Sequence, residues 1–453
     1  MSKQCYILLR VIGTFVMIFF LLEFSQFSFT YCQINDSVAD DSEQRLQSFT
    51  THLSEFIDLA RTNNPLLKAA NSKIKAAFAS VMYQRSLDAP QVGIEFMQSP
   101  IRDFPIIFMN QMEVDYSIQQ MVPYPGKRNA MANAEQKRKE MLDMDKSTLE
   151  QDIIRSVKSA YYELYLIYRK MELNSENQIL IKNFEEIARK QYETGLGKQA
   201  DVLRAQTELA SLTNEEIILK QNLKSAEAMI NVLCNRPVTM KVGFIPEIEP
   251  EAVDFNLDDM SHLSEIHRPE LKSMELNTQM KKAELYVAQR EYYPDFMVRG
   301  MYRSMMDNRD DWALMVGITL PIAPWSSHKF SSAVEKTNEN VFQSEFEYNN
   351  MKNMVSSQVL VALTKINSSY ERLTLNKLTV IPKAQQTLES AIVSYQTGKQ
   401  DFMLLIDIER MLIMAKQEYQ MAVMNFFDSQ AQLERAVGLS IEEIEKYLKG
   451  EYK

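Results

Sequence analysis

Residues 127–194 read KRNAMANAEQKRKEMLDMDKSTLEQDIIRSVKSAYYELYLIYRKMELNSENQILIKNFEEIARKQYET, without a glycine or a proline. The turn Gly195-Leu196-Gly197 follows at once. A helix over this whole stretch is roughly 100 Å long at about 1.5 Å per residue. Within it Ile153, Val157, Ala160, Leu164, Ile167 and Met171 recur at alternating spacings of three and four. That period keeps one apolar seam against a partner helix. Average helices run about three or four turns, so the spacing predicts an elongated, rod-like molecule rather than a globule.

The rod occurs twice. Residues 326–397 form a second long run with the seam Val355, Val359, Leu363, Ile366, Tyr370 and Leu373, and it ends in Thr397-Gly398. Tyr192-Glu193-Thr194-Gly195 lies over Tyr395-Gln396-Thr397-Gly398 at an offset of 203. Pro65 over Pro269 and Pro90 over Pro294 share an offset of 204, and Cys234-Asn235 falls on Val437-Gly438 at 203. So long a period excludes a solenoid and predicts two copies of one structural unit.

Composition narrows the function. Only 11 glycines and 14 prolines in 453 residues favour long helices, and the net charge of −10 argues against nucleic acid as a partner. The three cysteines, Cys5, Cys32 and Cys234, give no disulfide framework. Lys3 and Arg10 precede an apolar run from Val11 to Leu22, the layout of a secretory signal peptide over residues 1–32. An uncleaved anchor is the alternative, though the apolar core is short for one. Phe29-Thr30-Tyr31 is a poor setting for lipidation of Cys32. Beyond the leader no run approaches the ~18 apolar residues of a membrane helix, so a membrane role has to use strands.

Taken in order, residues 41–63 and 65–87 predict two helices, after which the period changes to two. Val92, Ile94 and Phe96 alternate with Gln91, Gly93 and Glu95. Met112, Val114, Tyr116 and Ile118 alternate with Glu113, Asp115, Ser117 and Gln119. In the second copy Phe296, Val298 and Tyr302 oppose Arg299 and Arg303, and Trp312, Leu314, Val316, Ile318 and Leu320 oppose Ala313, Gly317 and Thr319. Such strands present their two faces to different surroundings, either lipid and a wet lumen or the core and surface of a soluble hairpin. Prolines close each second strand: Pro123-Tyr124-Pro125-Gly126 in copy one and Pro321-Ile322-Ala323-Pro324 in copy two. These residues predict a sharp strand-to-helix switch. After each glycine tip a shorter helix returns. Its predicted buried side is Leu203, Leu209, Leu223, Ile230 and Leu233 in copy one. In copy two it is Leu405, Ile408, Leu412, Ala415, Tyr419, Val423 and Phe426. Pro382 should kink the second long helix. The domain reading is therefore repeat one over 41–237, an acidic linker over 238–262, repeat two over 263–440 and a charged tail over 441–453. The fold class is mainly α with membrane β, built from a duplicated helix-helix-strand-strand-long helix-helix unit.

This layout resembles the TolC family of outer-membrane efflux ducts over nearly the whole mature chain. The most specific matches are the tips with Asp201-Val202-Leu203-Arg204-Ala205-Gln206 and Leu404-Leu405-Ile406-Asp407. Pro123-Tyr124-Pro125-Gly126-Lys127 is similar to the heavy-metal, CzcC/CusC-like branch. The resemblance implies a homotrimer in which four strands per chain make one twelve-stranded outer-membrane barrel. Below it stands a long periplasmic α-helical barrel, with 238–262 at its equator. It also implies a periplasmic adaptor (membrane fusion) protein and an inner-membrane RND-type or other pump as partners, and passive export of metal cations or small toxic compounds. Strand physics agrees, because four strands with open edges cannot stand in lipid alone. Polar Glu113, Asp115, Arg299 and Arg303 would then face the lumen, and Tyr116 and Trp312 the lipid.

The same resemblance assigns sites. Gly195, Leu196, Gly197, Gly398 and Lys399 match the adaptor-docking tips, and Tyr395 and Asp407 match an aromatic and a carboxylate of the aperture gate. Leu404 and Gln400 depart from the family pattern, which puts a double acidic ring in doubt. For Asp407 a solvated helix position, and for Tyr395 a seam residue, are the competing readings. The 28 methionines include Met97, Met109, Met112, Met121, Met297, Met301, Met305 and Met306 around the strands. Thioethers suit Cu(I), but packing and lipid-facing filler explain them more simply. His52, His262, His267 and His328 lack metal-site spacing, so no metal and no cofactor is expected. No nucleophile with a base, phosphate loop or paired carboxylates in an evident pocket points to an enzyme. A polypeptide-secretion duct and a periplasmic coiled-coil scaffold remain as other readings. The scaffold leaves the duplicated strands unexplained.

Overall fold

A computed structural model describes residues 52–97, 113–305, 310–321 and 323–450. The leader, residues 98–112 with Pro100, Pro105, Met109 and Met112, and the positions of Met306 and Ile322 lie outside them. Copy one contains α1 (Leu53–Asn63), α2 (Pro65–Arg85), β1 (Gln91–Met97), β2 (Glu113–Val122), α3 (Lys127–Glu193) and α4 (Gln199–Leu233). Copy two repeats the order with α5 (Leu257–His267), α6 (Pro269–Arg290), β3 (Phe296–Met305), β4 (Asp311–Ile318), α7 (Ser327–Leu375), α8 (Ile381–Gln396) and α9 (Phe402–Val437), and α10 (Ile441–Leu448) follows.

The rod is one uninterrupted helix of 67 residues, α3. Ile153, Val157, Ala160, Leu164 and Ile167 of its seam are buried, and Met171 packs at the edge. In the second copy Val355, Val359, Leu363, Ile366 and Leu373 are buried in the same way. Proline acts there as expected. The helix is broken by a π-helical turn, Asn376–Val380, immediately before Ile381-Pro382. Pro382 has no N–H for a regular helical bond, and widening the turn ahead of it relieves its ring from the preceding carbonyl.

Two expected buried faces are corrected, and two segments carry more regular structure than their composition implies. Leu203 is exposed, because the seam of α4 is the heptad series Ala205, Leu212, Leu219 and Ala226, with Ile230 after it. Leu203 lies two residues off that series, roughly 200° around the helix at about 100° per residue. In α9 the inner face is Phe402, Leu405, Ile406, Glu409 and Leu412, with Ile408 only partly buried at its edge. The segment read as linker gives way to α5 at Leu257, whose Asn256 side chain caps Asp258 N at 3.3 Å. Val242 and Ile245 of the preceding stretch are buried in the first-copy core. The stretch read as a charged tail holds α10, which a Ser440–Glu443 capping box starts and buried Ile444 anchors.

The strands form one antiparallel sheet in the order β1-β2-β3-β4. Register lines up like with like. Ile94, Tyr116, Tyr302 and Trp312 make one cross-strand row, and Val92, Ile118, Gly300 and Leu314 another. Glu95, Asp115, Arg303 and Asp311 make a row on the opposite face. The outer edges of β1 and β4 have no strand partner among the described residues.

Candidate functional site

The sheet is inside out for a protein in water. Its apolar rows are open, with Val92 78% and Trp312 80% exposed, whereas Asp115 is only 1% exposed. On the charged face Arg303 donates to Asp115 Oδ1 and Oδ2 at 3.0 and 3.2 Å and pairs with Glu113. Arg299 reaches Glu95 at 3.5 Å and Ser117 Oγ at 3.3 Å. Covering the apolar rows is what stabilises such a sheet, and water does not cover them. Among the described residues no helix is long and apolar enough to cross a membrane. The strands therefore carry the membrane-compatible surface.

At the switch from sheet to rod, a residue of the second copy holds the first. Asp295 Oδ1 accepts from Tyr124 N at 3.0 Å, and its Oδ2 accepts from the buried Lys127 Nζ at 2.9 Å. Tyr293 stacks on Tyr124 with ring centres 4.6 Å apart. Pro123 and Pro125 flank that tyrosine, and Gly126 turns the chain at φ 92°, so its carbonyl receives Ala130 N, the first helical bond, at 3.0 Å. In copy two Pro321 is buried and Pro324 exposed, and Ser326 and Ser327 N both donate to Ala323 O. Asp295 was missed by sequence reasoning. Its signal is the Tyr292-Tyr293-Pro294-Asp295 run facing Pro123-Tyr124-Pro125.

The hairpin tips are alike in detail. Gly195 at φ 77° donates to Tyr192 O at 3.0 Å, and Leu196 N donates to Gln191 O at 2.9 Å. Gly398 at φ 71° donates to Tyr395 O at 3.0 Å, and Lys399 N to Ser394 O at 2.9 Å. Both are Schellman ends that need a residue free to adopt positive φ. A Cβ on Gly197 would stand 2.9 Å from Gln191 Cβ, so the first tip also needs glycine for close approach. Leu196 is 82% exposed, and Lys399 is exposed beside Gly398. Gln191 Nε2 bridges the tips, donating to Tyr395 O and Gln396 O at 3.1 and 3.3 Å.

The two gate candidates do not come together. Tyr395 is 4% exposed, 5.2 Å from the Phe402 ring, and its hydroxyl points at Asp201 Oδ2 at 3.5 Å. Burial, reinforced by Asp201, pushes that phenol up to about 12. Asp407 stands exposed on the outer side of α9. Two residues beyond Asp407 the seam buries Glu409, which sequence reasoning passed over because its neighbours in the seam are apolar. Burial pushes its carboxyl up to about 7. No group of three or more His, Cys, Asp or Glu able to hold a metal occurs among the described residues.

Known proteins share this architecture. The outer membrane efflux protein family matches residues 56–236 and 260–439, one match per copy. The cobalt-zinc-cadmium resistance protein CzcC of Cupriavidus metallidurans is 21% identical over 394 residues, covering 85% of this chain and 90% of that one. Outer membrane protein TolC of Escherichia coli is 20% identical over 410 residues, covering 85% and 82%. The crystal structure of CusC, described as forming a transmembrane channel, superposes with a TM-score of 0.72 at 16% identity, covering 88% of this chain and 94% of that one. With most of both copies matched, the chain belongs to the family of outer membrane efflux proteins and works as an efflux channel of the outer membrane.

Proposed function

We propose that, after loss of the leader at 1–32, three copies assemble into one passive duct. Four strands from each close a twelve-stranded barrel in the outer membrane, and the helices form a tube in the periplasm. The single observation that carries this is the inverted sheet: paired charges on one face, apolar rows exposed on the other, and two edges without a strand partner among the described residues. An open edge in lipid leaves backbone groups unsatisfied, and pairing β1 of one copy with β4 of the next removes every edge.

The tips at Gly195-Leu196-Gly197 and Gly398-Lys399 are the docking points for a periplasmic adaptor, which couples the duct to an inner-membrane pump. They are exposed, stiffly capped and tied to each other by Gln191. The exposed Asp407, repeated three times around the axis, forms the acidic ring of the aperture, and Tyr395 supports that region from within the seam. The likeness to a cobalt-zinc-cadmium resistance protein favours metal cations as cargo. The purified protein should run as a heat-modifiable trimer and give discrete ion conductance in planar bilayers. A water-soluble monomer without conductance would overturn the proposal.

A further inference from the structure

Glu409 stands where the fold calls for an apolar side chain. It lies on α9 between Leu405 and Leu412, in the cluster that packs α8 and α9 against α3 and α4 near the tips. Glu409 is 0% exposed, and neither carboxyl oxygen has a hydrogen-bond partner among the described residues. Asn177 of α3 is also buried, with its Oδ1 unpartnered. An ionised glutamate can accept from the Asn177 Nδ2 amide, which favours the charged form, but it leaves Asn177 Oδ1 unpartnered and places a charge in a fully buried site. A neutral one carries an O–H that can be donated to Asn177, turning two unsatisfied groups into one hydrogen bond.

We propose that Glu409 is a proton-operated latch of the tip half of the bundle, closing it when neutral and loosening it when ionised. Burial outweighs what the charged neighbours offer, since Arg410 of α9 only partly offsets the charge. On α4, Glu208 adds repulsion and is itself paired with Arg410 of α9, whose guanidinium is half exposed. Glu215 and Glu216 of α4 are taken up by Asn174 and Gln178 of α3, and Glu176 of α3 pairs with Lys416 of α9. Asp407 lies on the opposite, exposed side of α9. The buried residues that α8 contributes to this cluster are Ala384, Leu388, Ala391 and Tyr395, whose hydroxyl is turned to Asp201. The π-helical turn at Asn376–Val380, where α7 gives way to α8, is a ready hinge.

The direction follows from linkage. The buried carboxyl is pushed up from 4.5 to about 7, chiefly by burial. Between those values the packed tip holds a proton that the loosened tip releases, so rising pH weakens the packed form, and above about 7 the loss is complete. The shift limits the change in the opening equilibrium to roughly three hundredfold, at about tenfold per pH unit.

The latch is tested by amide hydrogen exchange of the full-length protein at pH 5.5 and pH 8, corrected for the intrinsic rate and read on peptides from 381–396 and 402–412. In the wild type the opening constant of these peptides should rise at least tenfold at the higher pH, and Glu409→Gln should abolish that rise. Glu409→Leu, which also removes polarity, should be equally insensitive to pH. An unchanged wild-type constant, or the same rise in both variants, overturns the latch. The gating consequence rests on the duct reading, which planar bilayers test separately. Wild type that conducts only above neutral pH, with Glu409→Gln closed throughout, supports both. A wild type without conductance at any pH refutes the duct alone.

Discussion

Gly438 ends α9 at φ 90°, and a Cβ built there would stand 2.8 Å from His267 O and 3.0 Å from Arg268 Cα. These are backbone atoms at the junction of α5 and α6, so no side-chain rotation relieves the clash. Its repeat counterpart, Asn235, holds φ 54° with a side chain already present. Gly438→Ala therefore meets two costs. Left-handed backbone costs alanine about 1 kcal/mol, and forcing two backbones apart in a packed junction adds about 1–3 kcal/mol. Gly195→Ala and Gly398→Ala meet only the first, because nothing stands within 4 Å of a Cβ at either tip. Urea unfolding of purified protein in detergent, followed by helical circular dichroism, should rank Gly438→Ala well below both tip variants. The two tip variants should stay within about 1 kcal/mol of wild type. Equal midpoints for all three would refute the reasoning.

Gly195→Pro or Gly398→Pro should abolish efflux in cells yet leave membrane-inserted oligomer intact on gels, since proline cannot adopt a φ near +75° and loses the capping N–H. Asp407→Asn should lower cation preference and block by multivalent cations in planar bilayers. The effect should shrink at high salt, where screening contracts to about 3 Å at 1 M. Asp295→Ala strands Lys127 in a buried site and frees Tyr124 N. It should cost about 2–4 kcal/mol and lower the yield of heat-modifiable oligomer. Asp295→Asn should recover part of that loss, because an amide oxygen still accepts from Tyr124.

What was legible in the sequence is what has a period or a forced conformation. The seams of α3 and α7 follow from three-and-four spacing, the strands from alternation, and the glycine tips from helix ends that need positive φ. Even the apolar-out rows of the sheet can be read from Tyr116, Tyr302 and Trp312 once the register is known. The duplication multiplied each signal, since a weak pattern at Pro90 is strengthened by the same pattern at Pro294. What was not legible depends on contacts between copies. Asp295 is one acidic residue among 60 Asp and Glu, and nothing local says that Lys127 lies 2.9 Å away. Glu409 sits in a seam with five apolar neighbours in α9, and helical periodicity treats a lone charge there as a solvated position. Leu203 erred in the opposite sense, as an apolar residue that the heptad of α4 leaves outside.

The central claim is that β1 of one copy pairs with β4 of another to close a barrel. Single cysteine pairs placed along β1 (Gln91–Met97) and β4 (Asp311–Ile318), with Cys234 replaced by alanine, can be oxidised in isolated outer membranes and run on denaturing gels. The account predicts covalent ladders that stop at three chains, strongest for one register of pairs. Cross-linked products confined to a single chain, or ladders running past three, would contradict it.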